Sequence, residues 1–259
     1  MQHFDLVSSS FVQPSLAQVQ HQAEIYAQLA SQAQALTFAC TAPQLSCCML
    51  EKAQMQFLFE QYHFVLPRYM QAAIAKRQQE FVLGRLLAQM LLLQQRGQQI
   101  GQQLIITSAT EKLPIWPQGM YGSISHHPSH VVVTLCSQAQ YLGIDIEQIL
   151  PKADADNIQH CVLTPSENQL WKNKLQQQLA WNEYVSLIFS FKESLYKAIY
   201  PQVLQYIDFL QAELIALDVQ QQRAYFRFDS ALQQQFQLCA IYQGQWQRVD
   251  ESVVTLIYA

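Results

Sequence analysis

A long segment of helical period followed by short alternating runs occurs twice along this chain, and that order does most to narrow its possible architectures. Residues 70–96 carry apolar side chains at Phe81, Leu86, Leu87, Met90, Leu91 and Leu93, which predicts one long helix stopped at Gly97. Behind it, residues 103–107, 123–124 and 131–136 read as strands, interrupted by the Pro- and Gly-punctuated loop 113–122 and by a His-rich turn. Residues 141–147 add a strand, and Pro151 breaks the pattern. It restarts at Thr164-Pro165-Ser166-Glu167, a helix-start signal, and leads to a second long helix over 184–200 closed by Pro201. The remainder alternates in short runs such as 224–228 and 236–242, as antiparallel strands do. The expected fold class is therefore α+β, built as two similar α+β halves over 1–139 and 140–259. Residues 7–50 are apolar and irregular, and no elements are placed there.

Half of the 259 residues are hydrophobic and only 13% are charged, which supplies a core and excludes a disordered chain. Apolar stretches such as 86–93 are broken by Gln or Arg before the roughly 20 residues that a bilayer span requires. The first residues lack a basic segment followed by an apolar one, so a cytoplasmic location is expected, with no membrane span. A net charge of −4 disfavours an electrostatic nucleic-acid binder, so an anionic ligand must meet a local cluster of positive charge. Cys40, Cys47, Cys48, Cys136, Cys161 and Cys239 show no C-x-x-C spacing and read as free thiols.

Four groups of residues stand out. In Gly143-Ile-Asp-Ile-Glu147, the period of two places Asp145 and Glu147 on one face and the isoleucines on the other. Paired carboxylates invite a hard cation such as magnesium, although a solvated sheet edge would look the same. In Phe189-Ser-Phe-Lys-Glu-Ser-Leu-Tyr-Lys-Ala198, Glu193 and Lys197 share a helix face, as would an ordinary surface ion pair. Their apolar company, together with Lys192, suggests a further partner. Gly122-Ser-Ile-Ser-His126 lacks the second glycine of a nucleophile elbow and reads as a small-residue turn that could cradle phosphate through Ser125 and His126. Arg77 and Arg85, two turns apart, offer planar forks suited to phosphate oxygens, or simply keep the helix soluble.

In this order and at these separations, the four groups resemble the 4'-phosphopantetheinyl transferases of the surfactin type. Residues 143–147 and 189–198 match that family's two signature blocks. Trp116 to His126 and the stretch 76–85 are similar to its enterobactin synthetase component D-like branch. The resemblance covers about residues 76–201.

It implies a monomeric pseudo-dimer with coenzyme A in the cleft between the halves. The N-terminal half would take the 3'-phosphate and adenine, and the C-terminal half the magnesium and the chemistry. The phosphopantetheine arm would pass to a serine of an apo acyl, peptidyl or aryl carrier protein, releasing adenosine 3',5'-bisphosphate. Residue by residue, Asp145, Glu147 and Glu193 would hold Mg2+, with Glu193 a candidate base. Lys197 would contact the leaving phosphate, and Lys192 the pyrophosphate. Ser125, His126, Arg77, Arg85 and Lys112 would bind the remaining phosphate and adenine groups. The branch points to siderophore peptide synthesis. Residues 156–178 are expected to offer Leu163, Leu170 and Trp171 to the carrier. The competing readings are a non-catalytic binding module of the same fold and a magnesium-dependent nuclease or phosphatase.

Overall fold

A computed structural model describes residues 16–38, 45–56, 66–96, 106–107 and 113–259. The first part contains α1 (Leu16–Gln32), β1 (Gln34–Ala35), β2 (Ser46–Glu51), a short α2 (Arg68–Gln71) and α3 (Ala75–Arg96). After the minor pair β3 (Ile106–Thr107) and β4 (Pro114–Ile115) come β5 (Tyr121–His126) and β6 (His130–Cys136). The second part runs through β7 (Leu142–Gln148), α4 (Lys152–Val162), α5 (Pro165–Leu170), α6 (Trp181–Val203), β8 (Ala212–Asp218) and β9 (Arg223–Phe228). It ends with α7 (Ser230–Phe236), β10 (Tyr242–Val249) and β11 (Ser252–Tyr258).

The strands form two antiparallel sheets, ordered β1-β2-β6-β5 and β7-β11-β10-β9-β8. Antiparallel sheets with packed helices make the protein α+β. Leu83 and Leu87 of α3 pack with Val131, Val133 and Leu135 of β6, because the period of two sends those β6 residues to one face. On the second sheet, Ile188, Phe191 and Leu195 of α6 pack with Phe226, Tyr242 and Ile257. A third apolar cluster takes Cys47, Met49 and Val132 from one sheet and Ile144, Ile146, Val254 and Leu256 from the other. The edge strands β5 and β7 lie together, yet a side chain bridges them where a ladder would run: Ile144 N donates to Ser123 Oγ at 3.1 Å.

Several elements differ from the sequence expectation. The helix expected over 70–96 is broken after Gln71, where the Gln78 side chain donates to the carbonyls of Met70 and Gln71, both at 3.1 Å. No Gly or Pro marks this break. Pro201 lies inside α6, which ends when Leu204 turns left-handed at φ 51°. The run 236–242, read as a strand, closes α7 and then crosses to β10. Asp229 caps that helix through Leu232 N at 2.9 Å, and Gln237 ends it in the left-handed region. Of residues 103–107, the first three lie outside the described residues, as does Cys40. Cys48, Cys161 and Cys239 are free thiols. No helix among the described residues is long and apolar enough to cross a membrane.

Candidate active site

The segment 122–126 is strand and not the phosphate-cradling turn read from its small residues. That difference organises the site, because neighbours on a strand point to opposite faces. Ser123 and Ser125 turn toward β7 and are buried, while Ile124 and His126 turn toward α3. The adjacent pair Ser125 and His126 therefore serves two separate clusters.

The first cluster centres on Asp145, which is 2% exposed. Its Oδ1 accepts from Ser125 Oγ at 2.7 Å and Lys197 Nζ at 2.5 Å, and its Oδ2 from Ser190 Oγ at 2.9 Å. Lys197 also donates to Ser125 at 2.8 Å, and Ser190 is held in turn by Thr255 at 2.8 Å. Sequence reasoning had not singled out Ser190 or Thr255; Ser190 lies within the quoted motif, but Thr255 carries no local signal. Glu147 is pushed up to about 8, first by burial, then by the negative charge of Asp145 and Glu193, with Lys197 opposing. Burial likewise raises Glu193, against Lys197 and with Asp145.

Among the described residues, no three His, Cys, Asp or Glu side chains converge into a group able to hold a metal as they stand. Asp145 is turned onto Lys197, whose ammonium neutralises it. The donor chemistry still suits a hard divalent cation: carboxylates only, with Glu147 and Glu193 lacking any hydrogen-bond or ion-pair partner among the described residues. A cation there would offset the burial, and with it the Asp145 repulsion, that raise both carboxyls.

The second cluster centres on Glu80, a carboxylate 7% exposed on α3. Its Oε1 accepts from Lys52 Nζ at 2.7 Å, while its Oε2 lies 3.6 Å from Arg77 and 3.4 Å from His126 Nδ1. Burial works to raise this carboxyl, but the Lys52 hydrogen bond and neighbouring positive charges more than offset it, leaving it below its ordinary value. His126 is lowered to about 4, first by burial, with Glu80 opposing and Arg77, Lys52 and Lys197 assisting. At neutral pH its ring is uncharged. Arg77 hydrogen-bonds to its Nε2, and because guanidinium only donates, the ring proton sits on Nδ1 beside Glu80. Neither Glu80 nor Lys52 was expected from sequence. Glu80 follows Arg77 at i+3, a usable signal, but Lys52 is brought in only by tertiary structure. Arg85, one of the expected phosphate ligands, stacks over the Phe81 ring at 4.8 Å and is lowered to about 10 by burial.

One cleft of about 620 Å³ joins the two clusters, lined among others by Arg77, Arg85, Trp116, His126, Lys197 and Tyr200. Lys192 is not part of it. Its ammonium is fully buried on the far side of α6, donating to Glu167 Oε2 and Val162 O, both at 2.7 Å. The pyrophosphate contact implied for it is corrected accordingly: residues 192 and 197 stand about 140° apart around a helix, and the first faces the core. Lys112 lies outside the described residues. Of the expected carrier contacts, one is buried and two are half-buried. Leu163 is buried, Leu170 and Trp171 pack on the core, and Trp171 Nε1 donates to Leu179 O at 3.1 Å.

Comparison with known proteins matches the "4'-phosphopantetheinyl transferase N-terminal domain" to residues 66–136 and the "4'-phosphopantetheinyl transferase superfamily" to residues 141–256. Enterobactin synthase component D of Escherichia coli O157:H7 is 30% identical over 158 residues, covering 60% of this chain and 71% of that protein. The protein of the same name from Salmonella typhimurium is 30% identical over 129 residues, covering 50% of this chain, so the match spans about half (51%) of that relative. The 4'-phosphopantetheinyl transferase PptT of Mycobacterium tuberculosis is 29% identical over 147 residues, covering 55% and 60% of the two chains.

Proposed function

Because the chain belongs to the 4'-phosphopantetheinyl transferase superfamily, we propose that it transfers the phosphopantetheine arm of coenzyme A to a serine of an apo acyl, peptidyl or aryl carrier protein. The observation that carries this reading is the single cleft that joins Arg77 and His126 to Lys197. A ligand with phosphates on the 3' and 5' oxygens of one ribose needs positive charge at two places, and the cleft supplies it at Arg77 and Arg85 and again at Lys197.

In this mechanism Arg77 and Arg85 hold the 3'-phosphate, and His126 holds Arg77 through its Nε2. Lys197 gives up its contact with Asp145 to meet the pyrophosphate. Asp145, Glu147 and Glu193 would hold Mg2+, which supplies charge neutralisation on the pyrophosphate. Glu193, ionised where it would hold Mg2+, is the candidate group to accept the carrier serine's proton. The serine oxygen attacks the phosphorus that bears the pantetheine arm, the phosphoanhydride bond breaks, and adenosine 3',5'-bisphosphate departs beside Lys197. The likeness to enterobactin synthase components supports carriers of nonribosomal siderophore synthesis as the acceptors. The chain would act as a cytoplasmic monomer.

The test is the intact mass of an apo peptidyl carrier protein after incubation with this chain, coenzyme A and magnesium. A gain of one phosphopantetheine arm, abolished by chelator and restored by magnesium, is the expected result. Unchanged mass across acyl, peptidyl and aryl carriers, with coenzyme A still bound, would instead establish a non-catalytic binding module.

A further inference from the structure

A buried carboxylate in the wall of an anion site is adverse on its face, since Glu80 and a phosphate would repel each other. Three observations account for its presence. Lys52 pairs with its Oε1 at 2.7 Å and cancels its charge. Lys52 is itself fixed, its backbone N donating to Ser129 O at 2.7 Å in the turn between β5 and β6. The other oxygen lies 3.6 Å from the Arg77 cation and 3.4 Å from the neutral His126 ring, so one carboxylate sits between two groups that come from different elements. With its proton on Nδ1, 3.4 Å from Glu80 Oε2, the ring presents Nε2 to Arg77, itself a cleft-lining residue.

We propose that Glu80, with Lys52 as its counter-ion, is a positioning residue that makes the cleft select donors carrying a 3'-phosphomonoester. The inference rests on the reading that Arg77 takes the 3'-phosphate. Glu80 does not touch the phosphate; it fixes Arg77, which does, both directly and through the His126 ring. Lys52 keeps the carboxylate from repelling the dianion. In Lys52→Met, Glu80 stands uncompensated, and the site becomes worse than one lacking both charges.

The experiment compares coenzyme A with 3'-dephospho-coenzyme A as donors to an apo carrier, for the unaltered chain, Glu80→Gln, Lys52→Met, Lys52→Arg and the pair Glu80→Gln/Lys52→Met. The ratio of kcat/KM between the two donors cancels losses of folded protein. Glu80→Gln should lower that ratio about tenfold through KM, the scale of one charge-assisted hydrogen bond. Lys52→Met should lower it further, the double variant should return to the Glu80→Gln level, and Lys52→Arg should keep most of it. Equal losses on both donors, or a double variant no better than Lys52→Met, would overturn the proposal. Calorimetric binding of adenosine 3',5'-bisphosphate against 5'-AMP reads the same selection without turnover. If the unaltered chain transfers from neither donor, yet prefers the bisphosphate and loses that preference in Glu80→Gln, the transferase reading falls and this inference stands.

Discussion

Lys192 and Lys197 belong to one helical motif and have opposite fates. Lys197 is partly exposed at the cleft, whereas Lys192 and its partner Glu167 have no exposed side-chain surface. Burial pulls the Lys192 ammonium below its ordinary range, and Glu167 opposes that shift. Glu167 also caps its own helix at Thr164 N and accepts from Leu214 N, each at 2.7 Å, so it joins α5, α6 and β8. Removing one partner of such a pair leaves a buried charge alone, which costs about 3–5 kcal/mol. Lys192→Met should lower the thermal midpoint accordingly, and adding Glu167→Gln should recover part of the loss. Because Lys192 does not face the cleft, the KM for coenzyme A of whatever protein folds should stay within about twofold, well under the tenfold that 1.4 kcal/mol of lost binding gives. A tenfold rise would return Lys192 to the pyrophosphate. The capping signal at Thr164 and Glu167 was legible in sequence; the ion pair was not, since it joins residues from separate helices.

At the scale of elements, the long amphipathic helix and the D-x-E strand were readable because their periodicities are strong and local. The break after Gln71 and the short helix α7 depend on side-chain caps from Gln78 and Asp229, which alternation patterns do not register. Gly143 shows what the signature strand requires of its partner helix. A Cβ at this position would lie 1.9 Å from the Ser194 carbonyl oxygen and 2.8 Å from Ala198 N, both backbone atoms of α6. Only glycine lets α6 approach closely enough for Lys197 and Ser190 to reach Asp145. Gly143→Ala should therefore push α6 away, costing at least the 1–3 kcal/mol usual for about one extra methyl in a tight core. Transfer activity should fall more than the folded fraction does. A variant with normal thermal midpoint and normal kcat would show that α6 is not held by this contact.

Across the whole molecule, the two sheets answer pH with opposite signs. In the first, His127 Nδ1 accepts from Ser129 N at 3.1 Å, which leaves its Nε2 proton for Ser252 Oγ of the second sheet at 2.9 Å. His127 and His126 are both lowered to about 4, burial leading in each case. Between about pH 6.5 and 4 the unfolded chain holds protons on both rings that the folded chain does not, so this contribution to stability is lost on acidification. In the second sheet, Glu147 is raised to about 8. The folded chain keeps a proton there that the unfolded chain releases above about 4.5, so stability is lost as pH rises through 8. From 6.5 down to 4.5 the two histidines act against the raised carboxyls of Glu147 and Glu193, and from 6.5 up to 8 those carboxyls act against the fold with no histidine to offset them. The metal-free protein should thus be most stable near pH 6.5, each limb falling by about 1.4 kcal/mol per pH unit for one net proton. If Asp145, Glu147 and Glu193 hold magnesium, binding it ionises Glu147, removes the alkaline limb and releases protons below pH 8. Urea midpoints from pH 4.5 to 8.5, with and without magnesium, measure this directly. An alkaline limb unchanged by magnesium would take Glu147 out of the metal site while leaving the acidic limb, and the histidines that cause it, in place.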